Sequence, residues 1–292
     1  MEKNKKEEQS VLVEALKKNC KEKGYKVNEK GYFDSYTKNI FKKKMPKKYQ
    51  EMFDEASGGE LHSKAEAVHS SSMLSYNFFH WIDDAHPFNW DDVNYTQVLF
   101  EVQMKTIKGS NAPANMDVVL IDKEKNNLLF IESKFTEYIK SEKFKLSDSY
   151  HNEYKWINKD VEWSNIVKYE PGGKSEYKGG IKQLITHLFG IHSQFVEPCD
   201  KFKKIGIDFN SVNLKFITLI FEPKKDYKEE HEAYEHYHSL VNDFSGKIEK
   251  VKGLKVVPEW KSYSDLWNVM KDQMPKDLND YIGNRYMQFA NI

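Results

Sequence analysis

The sequence predicts an α/β fold: a central mixed β-sheet flanked by helices, with helical additions at both ends. Three observations predict it. Two apolar runs, Val118-Val119-Leu120-Ile121 and Leu128-Leu129-Phe130-Ile131, flank a polar turn and read as a hairpin buried on both faces. Downstream, Ile181, Leu184, Ile185, Leu188 and Phe189 fall at i, i+3, i+4, i+7 and i+8, the stripe of an amphipathic helix. Strand and helix patterns then alternate to the C-terminus, which favours layered α/β packing over a bundle or sandwich.

Composition fits a folded core. The chain has 292 residues, with 18 Phe, 17 Tyr and 6 Trp, too many large apolar groups for a disordered chain. No apolar run approaches the length of a membrane span, and the first ten residues are mostly charged, so a cytoplasmic, reducing setting is expected. Cys20 and Cys199 are the only cysteines, too few for a disulfide scaffold or a Cys-based zinc site. Formal net charge is zero, and the 45 basic side chains divide into 44 Lys and the single Arg285. Any nucleic-acid surface is therefore local, and phosphates would meet ammonium groups rather than guanidinium forks.

Residues 1–58 read as a Lys-rich helical extension, helical through Val11, Leu12, Ala15 and Leu16, and residues 59–292 as the main domain with its core at about 63–221. The run Lys42, Lys43, Lys44, Lys47 and Lys48 reads as a solvated face. After Ser57-Gly58-Gly59, a helix is expected from about Ser63 to Trp81, with Ser70-Ser71-Ser72 and Ser75 allowing close packing. An aromatic loop at Pro87–Trp90 leads to a strand at Val98–Met104, with Phe100, Val102 and Met104 on one face and Glu101 and Gln103 on the other. The hairpin covers Met116–Asp122 and Asn127–Lys134, and a polar, irregular insertion follows at about 141–177. Then come the helix after Gly179-Gly180, a strand at Leu214–Phe221, a charged helix at about Tyr227–Phe244, a short strand at Leu254–Pro258 and one or two closing helices.

The hairpin also carries chemistry. Leu128, Phe130, Glu132 and Lys134 share one face, which sets a carboxylate and an ammonium roughly 7 Å apart along the strand. A two-residue loop at Glu124-Lys125 would pair Asp117 with Glu132, their Cβ atoms about 5 Å apart. Two carboxylates that close need a proton, a lysine or a cation between them, and oxygen ligands suit Mg²⁺ or Mn²⁺. Such an ion with a lysine beside it provides the parts for phosphodiester hydrolysis. Other constellations read as structural. His231, Glu232, Glu235, His236 and His238 lack zinc-type spacing, and His80 and His86 flank Asp83-Asp84 in an aromatic loop. Gly172-Gly173 and Gly179-Gly180 lack a phosphate-loop pattern, and no Ser nucleophile elbow occurs.

Asp117, fourteen intervening residues, then Glu132-Ser133-Lys134 resembles the D-x(n)-E-x-K signature of the PD-(D/E)XK, or restriction-endonuclease-like, nuclease superfamily. With Ser71-Ser72 and Asn77-Phe78-Phe79 upstream, the pattern is similar to uncharacterised bacterial members, over roughly Ser63 to Phe221. Met116 stands where a Pro is common. The resemblance implies a restriction-endonuclease-like core and a Mg²⁺- or Mn²⁺-dependent nuclease acting on nucleic acid, with DNA the expected substrate and a homodimer compatible with double-strand cleavage. It implies Asp117, Glu132 and the Ser133 carbonyl as metal ligands and Lys134 as the catalytic lysine. Gln183 and His187 resemble a Q-x-x-x-Y motif with His in the Tyr position, and of these Gln183 joins the site. The supporting acid is Glu101 or Glu66, with Glu101 preferred. The alternative is a nuclease-like fold that no longer cuts and serves as a nucleic-acid-binding or protein-interaction module; a third is metal-independent hydrolysis through His187.

Overall fold

The computed structural model describes residues 10–56, 61, 64–107, 113–139, 146, 148–153, 156–157, 159–167 and 181–292. The Ser57-Gly58-Gly59 break, most of the 141–177 insertion and Gly179-Gly180 lie outside these residues. Helix α1 (Val11–Glu22) is capped by Ser10, whose hydroxyl accepts from the Val13 N–H, and it buries Leu12, Val13, Leu16 and Cys20. Helix α2 (Lys47–Asp54) follows Pro46, a residue suited to a helix entrance. Helix α3 is Ser71–Phe79, shorter than expected from its composition. Ser70 is its N-cap, accepting from the Met73 N–H, so the chain cannot be helical upstream. Glu66 accordingly lies in a turn rather than on the helix, and its carbonyl accepts from the Phe33 N–H.

Strand β1 (Phe88–Trp90) occupies the stretch read as an aromatic loop. It pairs with β2 (Val93–Met104) around Asp91-Asp92, both with positive φ (51° and 63°), the geometry of a type I′ hairpin. Strands β3 (Ala114–Asp122) and β4 (Asn127–Lys134) form the expected hairpin. Short helices α4 (Asp148–Glu153) and α5 (Trp163–Val167) follow. Helix α6 (Ile181–Ser193), helix α7 (Asp200–Ile205), strand β5 (Asn213–Ile220) and helix α8 (Lys228–Ile248) come next. Strand β6 (Pro258–Ser262) starts where the expected strand would have ended, and helices α9 (Tyr263–Met270) and α10 (Lys276–Arg285) close the fold.

The six strands run β1-β2-β3-β4-β5-β6 across one sheet, antiparallel through β4 and parallel from β4 to β6. Apolar side chains leave the sheet on both sides. Val118, Leu120, Leu129, Ile131 and Leu219 pack with α1, α3, α9 and α10, while Val119, Ile121, Leu128, Phe130 and Phe216 pack with α6 and α8. This is an α/β fold with a mixed sheet between helical layers, consistent with a restriction-endonuclease-like core. No helix among the described residues is long and apolar enough to cross a membrane. The lysine run of the N-terminal region is exposed, with surface contacts only: Lys42 pairs with Asp277 at 3.0 Å, Lys47 with Glu51 at 3.3 Å, and Lys48 lies over the Tyr49 ring.

Candidate active site

Pairs in the β3–β4 hairpin follow one register, Val118↔Ile131, Val119↔Phe130, Leu120↔Leu129 and Ile121↔Leu128. The same register centres the turn on Glu124-Lys125 and, continued by one step, sets Asp117 opposite Glu132. The paired positions end at Val118↔Ile131; beyond them, the Ser133 N–H donates to Asp117 Oδ2 at 2.6 Å. A side-chain carboxylate thus replaces the next rung of the ladder. In a strand, the N–H and C=O of one residue point to the same neighbour, so the Ser133 carbonyl faces the Asp117 side while the Lys134 carbonyl accepts from Phe221 on the β5 side.

Strands β2 and β3 change face at the same point. Phe100 packs in one core but Val102 and Met104 pack in the other, and likewise Val118 lies on one side and Met116 on the other. The expected face-sharing of Phe100, Val102 and Met104 is corrected accordingly. Register does not slip, since Phe100↔Val118 and Val102↔Met116 flank the switch. The residues at the switch are Glu101 and Asp117. Glu101 has φ of 49°, a left-handed backbone that costs about 1–3 kcal/mol for a non-glycine residue. It is also only 3 % exposed, not on a wet polar face. Glu101, Asp117 and Glu132 therefore stand at neighbouring positions on three adjacent strands, whereas Glu66 belongs to the turn before α3.

Glu132 is fully buried on the α6–α8 face. Its Oε1 accepts from Lys134 Nζ at 2.5 Å, and Oε2 lies 2.9 Å from His187 Nε2, within ion-pair distance but out of line for a hydrogen bond. Lys134 Nζ also donates to Gln183 Oε1 at 2.6 Å. Gln183 and His187 are four residues apart on α6 and so share the helix face over β4. That helix sits close because Gly190 lets it: a Cβ there would come within 3.0 Å of Met104 Cβ on β2. The expected residues Asp117, Glu132, Ser133, Lys134 and Gln183 are brought together, with Glu101 beside Asp117 on β2. His187, paired with Gln183 in the motif but given no role in the expected site, lies beside Glu132.

Electrostatics separate the two central acids. Burial acts to raise the Glu132 carboxyl, but Lys134 and His187 outweigh it and hold its pKa at about 2. Asp117 goes the other way, pushed well above the usual carboxylate range by burial first and then by Glu132 and Glu101. Among the described residues no three His, Cys, Asp or Glu side chains gather tightly enough to hold a metal ion. The donors nevertheless suit a hard divalent cation: Asp117 is partly exposed and repelled by two anions, and the buried Glu132 Oε2 accepts no hydrogen bond. The carboxylate oxygens of Asp117 and Glu132 are thus of a kind that fits such an ion.

A family model described as Restriction Endonuclease associating with ARP matches residues 5–287. No curated protein and no solved structure matches the chain.

Proposed function

The chain belongs to the family of restriction endonucleases associating with ARP, and on that premise we propose that it is a divalent-metal-dependent nuclease hydrolysing phosphodiester bonds in DNA. What carries the reading is the meeting of Asp117, Glu132, Lys134 and Gln183 at the end of β4. Asp117, Glu132 and the Ser133 carbonyl would hold Mg²⁺ or Mn²⁺, with Glu101 as the supporting acid. When bound, the ion supplies Lewis acidity toward a phosphoryl oxygen and a water. Lys134 keeps its proton: burial works against the ammonium, but Glu132 beside it prevails and moves its pKa up. It therefore acts as a donor, orienting the attacking water and offsetting the negative charge that develops on phosphorus-bound oxygens. Gln183 accepts from the same ammonium and so fixes its direction. The family description names association with ARP, which we take as a partner of this chain.

The test is cleavage of linear and supercoiled DNA with Mg²⁺ or Mn²⁺ by the native chain, Lys134→Ala and Glu132→Ala. Each substitution is expected to lower the rate by about a hundredfold or more. Equal rates in all three would end this mechanism. Salt-dependent binding with no cutting under either ion would favour a nuclease-like fold that only binds. Cutting that survives a chelator would point to hydrolysis through His187 without a metal.

A further inference from the structure

We propose that Tyr263 is a positioning residue, whose hydroxyl, from the face of the sheet away from Glu132 and Lys134, holds the Ser133 peptide so that its N–H stays on the Asp117 carboxylate. The role of that carboxylate rests on the nuclease reading; the hold on the peptide does not.

Ser133 is the middle residue of Glu132-Ser133-Lys134, and alternation sends its side chain to the opposite face. That face of β4 is otherwise apolar, with Leu129 and Ile131 before it and Phe135 beyond, all buried. A hydroxyl left unpaired there would carry an uncompensated desolvation penalty. Two partners satisfy it. Ser133 Oγ donates to the Ser71 carbonyl at 3.3 Å, and Tyr263 Oη lies 2.7 Å from Ser133 Oγ. With the serine proton directed to Ser71, the phenol is the donor to Ser133. The result is a directed chain from Tyr263 through Ser133 to the first turn of α3.

Sheet register explains how a residue 130 positions away reaches this point. Lys134 pairs with Ile220 on β5, and Ile220 pairs with Ser262 on β6. Tyr263 is therefore the first residue past the sheet at the level where the Glu132-Ser133-Lys134 segment ends. It is held firmly there. Ser262 and Asp265 form a reciprocal capping box at the start of α9, and the fully buried Tyr263 ring meets Phe78 edge-on, centroids 4.8 Å apart. One residue thus has its side chain fixed on one side of the sheet and its amide committed to Asp117 on the other.

The test uses the full chain as native protein, Tyr263→Phe, Ser133→Ala and the double variant, with Lys134→Ala as a reference. Phenylalanine keeps the ring and removes only the hydroxyl. Amide hydrogen exchange at Ser133 is expected to speed up about tenfold in Tyr263→Phe, with Ile131 unchanged. Cleavage is expected to fall about tenfold in kcat, with the DNA KM unchanged and half-saturation shifted to higher Mn²⁺. Because the effect passes through Ser133, the double variant should match Ser133→Ala. Native exchange at Ser133 in Tyr263→Phe overturns the proposal, and so do additive losses in the double variant. Wild-type kcat and Mn²⁺ dependence in Tyr263→Phe overturn it too, provided Lys134→Ala is inactive. If the native chain cuts no DNA, the nuclease reading fails, and the exchange measurement still decides whether Tyr263 holds the peptide.

Discussion

At the scale of single residues, Asp117 and Glu132 meet opposite electrostatic fates. The ordinary reference values are 3.8 for Asp117 and 4.5 for Glu132. Glu132 is lowered, so its ionised form stabilises the fold above about 4.5, and that contribution is lost as pH falls toward about 2. Asp117 is raised, so its protonated form favours the folded state below 3.8, and that advantage is lost as pH rises through its elevated value. At neutral pH without a divalent ion, ionising Asp117 therefore strains the site. Asp117→Asn, which keeps the shape but removes the charge, is expected to raise Tm in chelator while abolishing cleavage. Mn²⁺ should displace a proton from the native chain on binding, with affinity rising as pH rises. Titration calorimetry in buffers of different ionisation enthalpy reads that proton directly, and its absence in Asp117→Asn assigns it. Asp117, Glu132 and Lys134 were legible in the sequence because strand alternation and hairpin parity are local rules. Tyr263 was not legible, since its contact with Ser133 depends on the order of strands across the sheet.

Elements carry these residues to one another, and helix α6 has little room to move toward the sheet at Gly190. Gly190 faces β2, where an added methyl group would lie 3.0 Å from Met104 Cβ and 3.2 Å from Met104 Cε. The methionine tip can swing away, but its Cβ is fixed to the strand, so the helix itself must lift. Two turns earlier the same helix presents Gln183 to Lys134, and within the last turn before Gly190 it sets His187 beside Glu132. Gly190→Ala is expected to lower the denaturant midpoint by the equivalent of about 1–3 kcal/mol despite alanine's better helix propensity. It should also reduce kcat by loosening both contacts, while a glycine with open space around it, Gly246 on α8, should accept Ala without loss. The sequence foretold α6 from its apolar stripe, but not its closeness to β2. Strand β1 was missed because it is three residues long and its turn is Asp91-Asp92 rather than a glycine-containing pair. Helix α3 was drawn too long because apolar and small residues continue upstream, whereas the Ser70 cap sets its start.

Over the whole molecule, the N- and C-terminal helices close on one buried cation. Arg285, the only arginine in the chain, lies at the end of α10 and is 4 % exposed. Its guanidinium donates to Cys20 Sγ on α1, to Asn39 Oδ1 and to the Val68 carbonyl, and it lies over the Phe33 and Tyr286 rings. Asn39 passes the tie onward, since its amide donates to the carbonyls of Ala65 and Ala67. A single planar fork thus joins α1, the segment before α3 and α10, three regions far apart in sequence. In a chain with 44 lysines the one arginine stands where several donors must point in fixed directions, which an ammonium on a flexible stem cannot reproduce. Arg285→Lys keeps the charge but leaves Asn39 Oδ1 or the Val68 carbonyl without a partner, at a cost of about 1–3 kcal/mol. The expected outcome is a Tm lower by several degrees, and faster amide exchange in both α1 and α10. Well below that Tm, the metal-dependent cleavage rate should stay unchanged, because Arg285 bonds none of the acids on β2, β3 or β4. Unaltered Tm in Arg285→Lys would mean that apolar packing of Leu12, Leu16, Leu278 and Ile282 alone holds the two ends of the chain together.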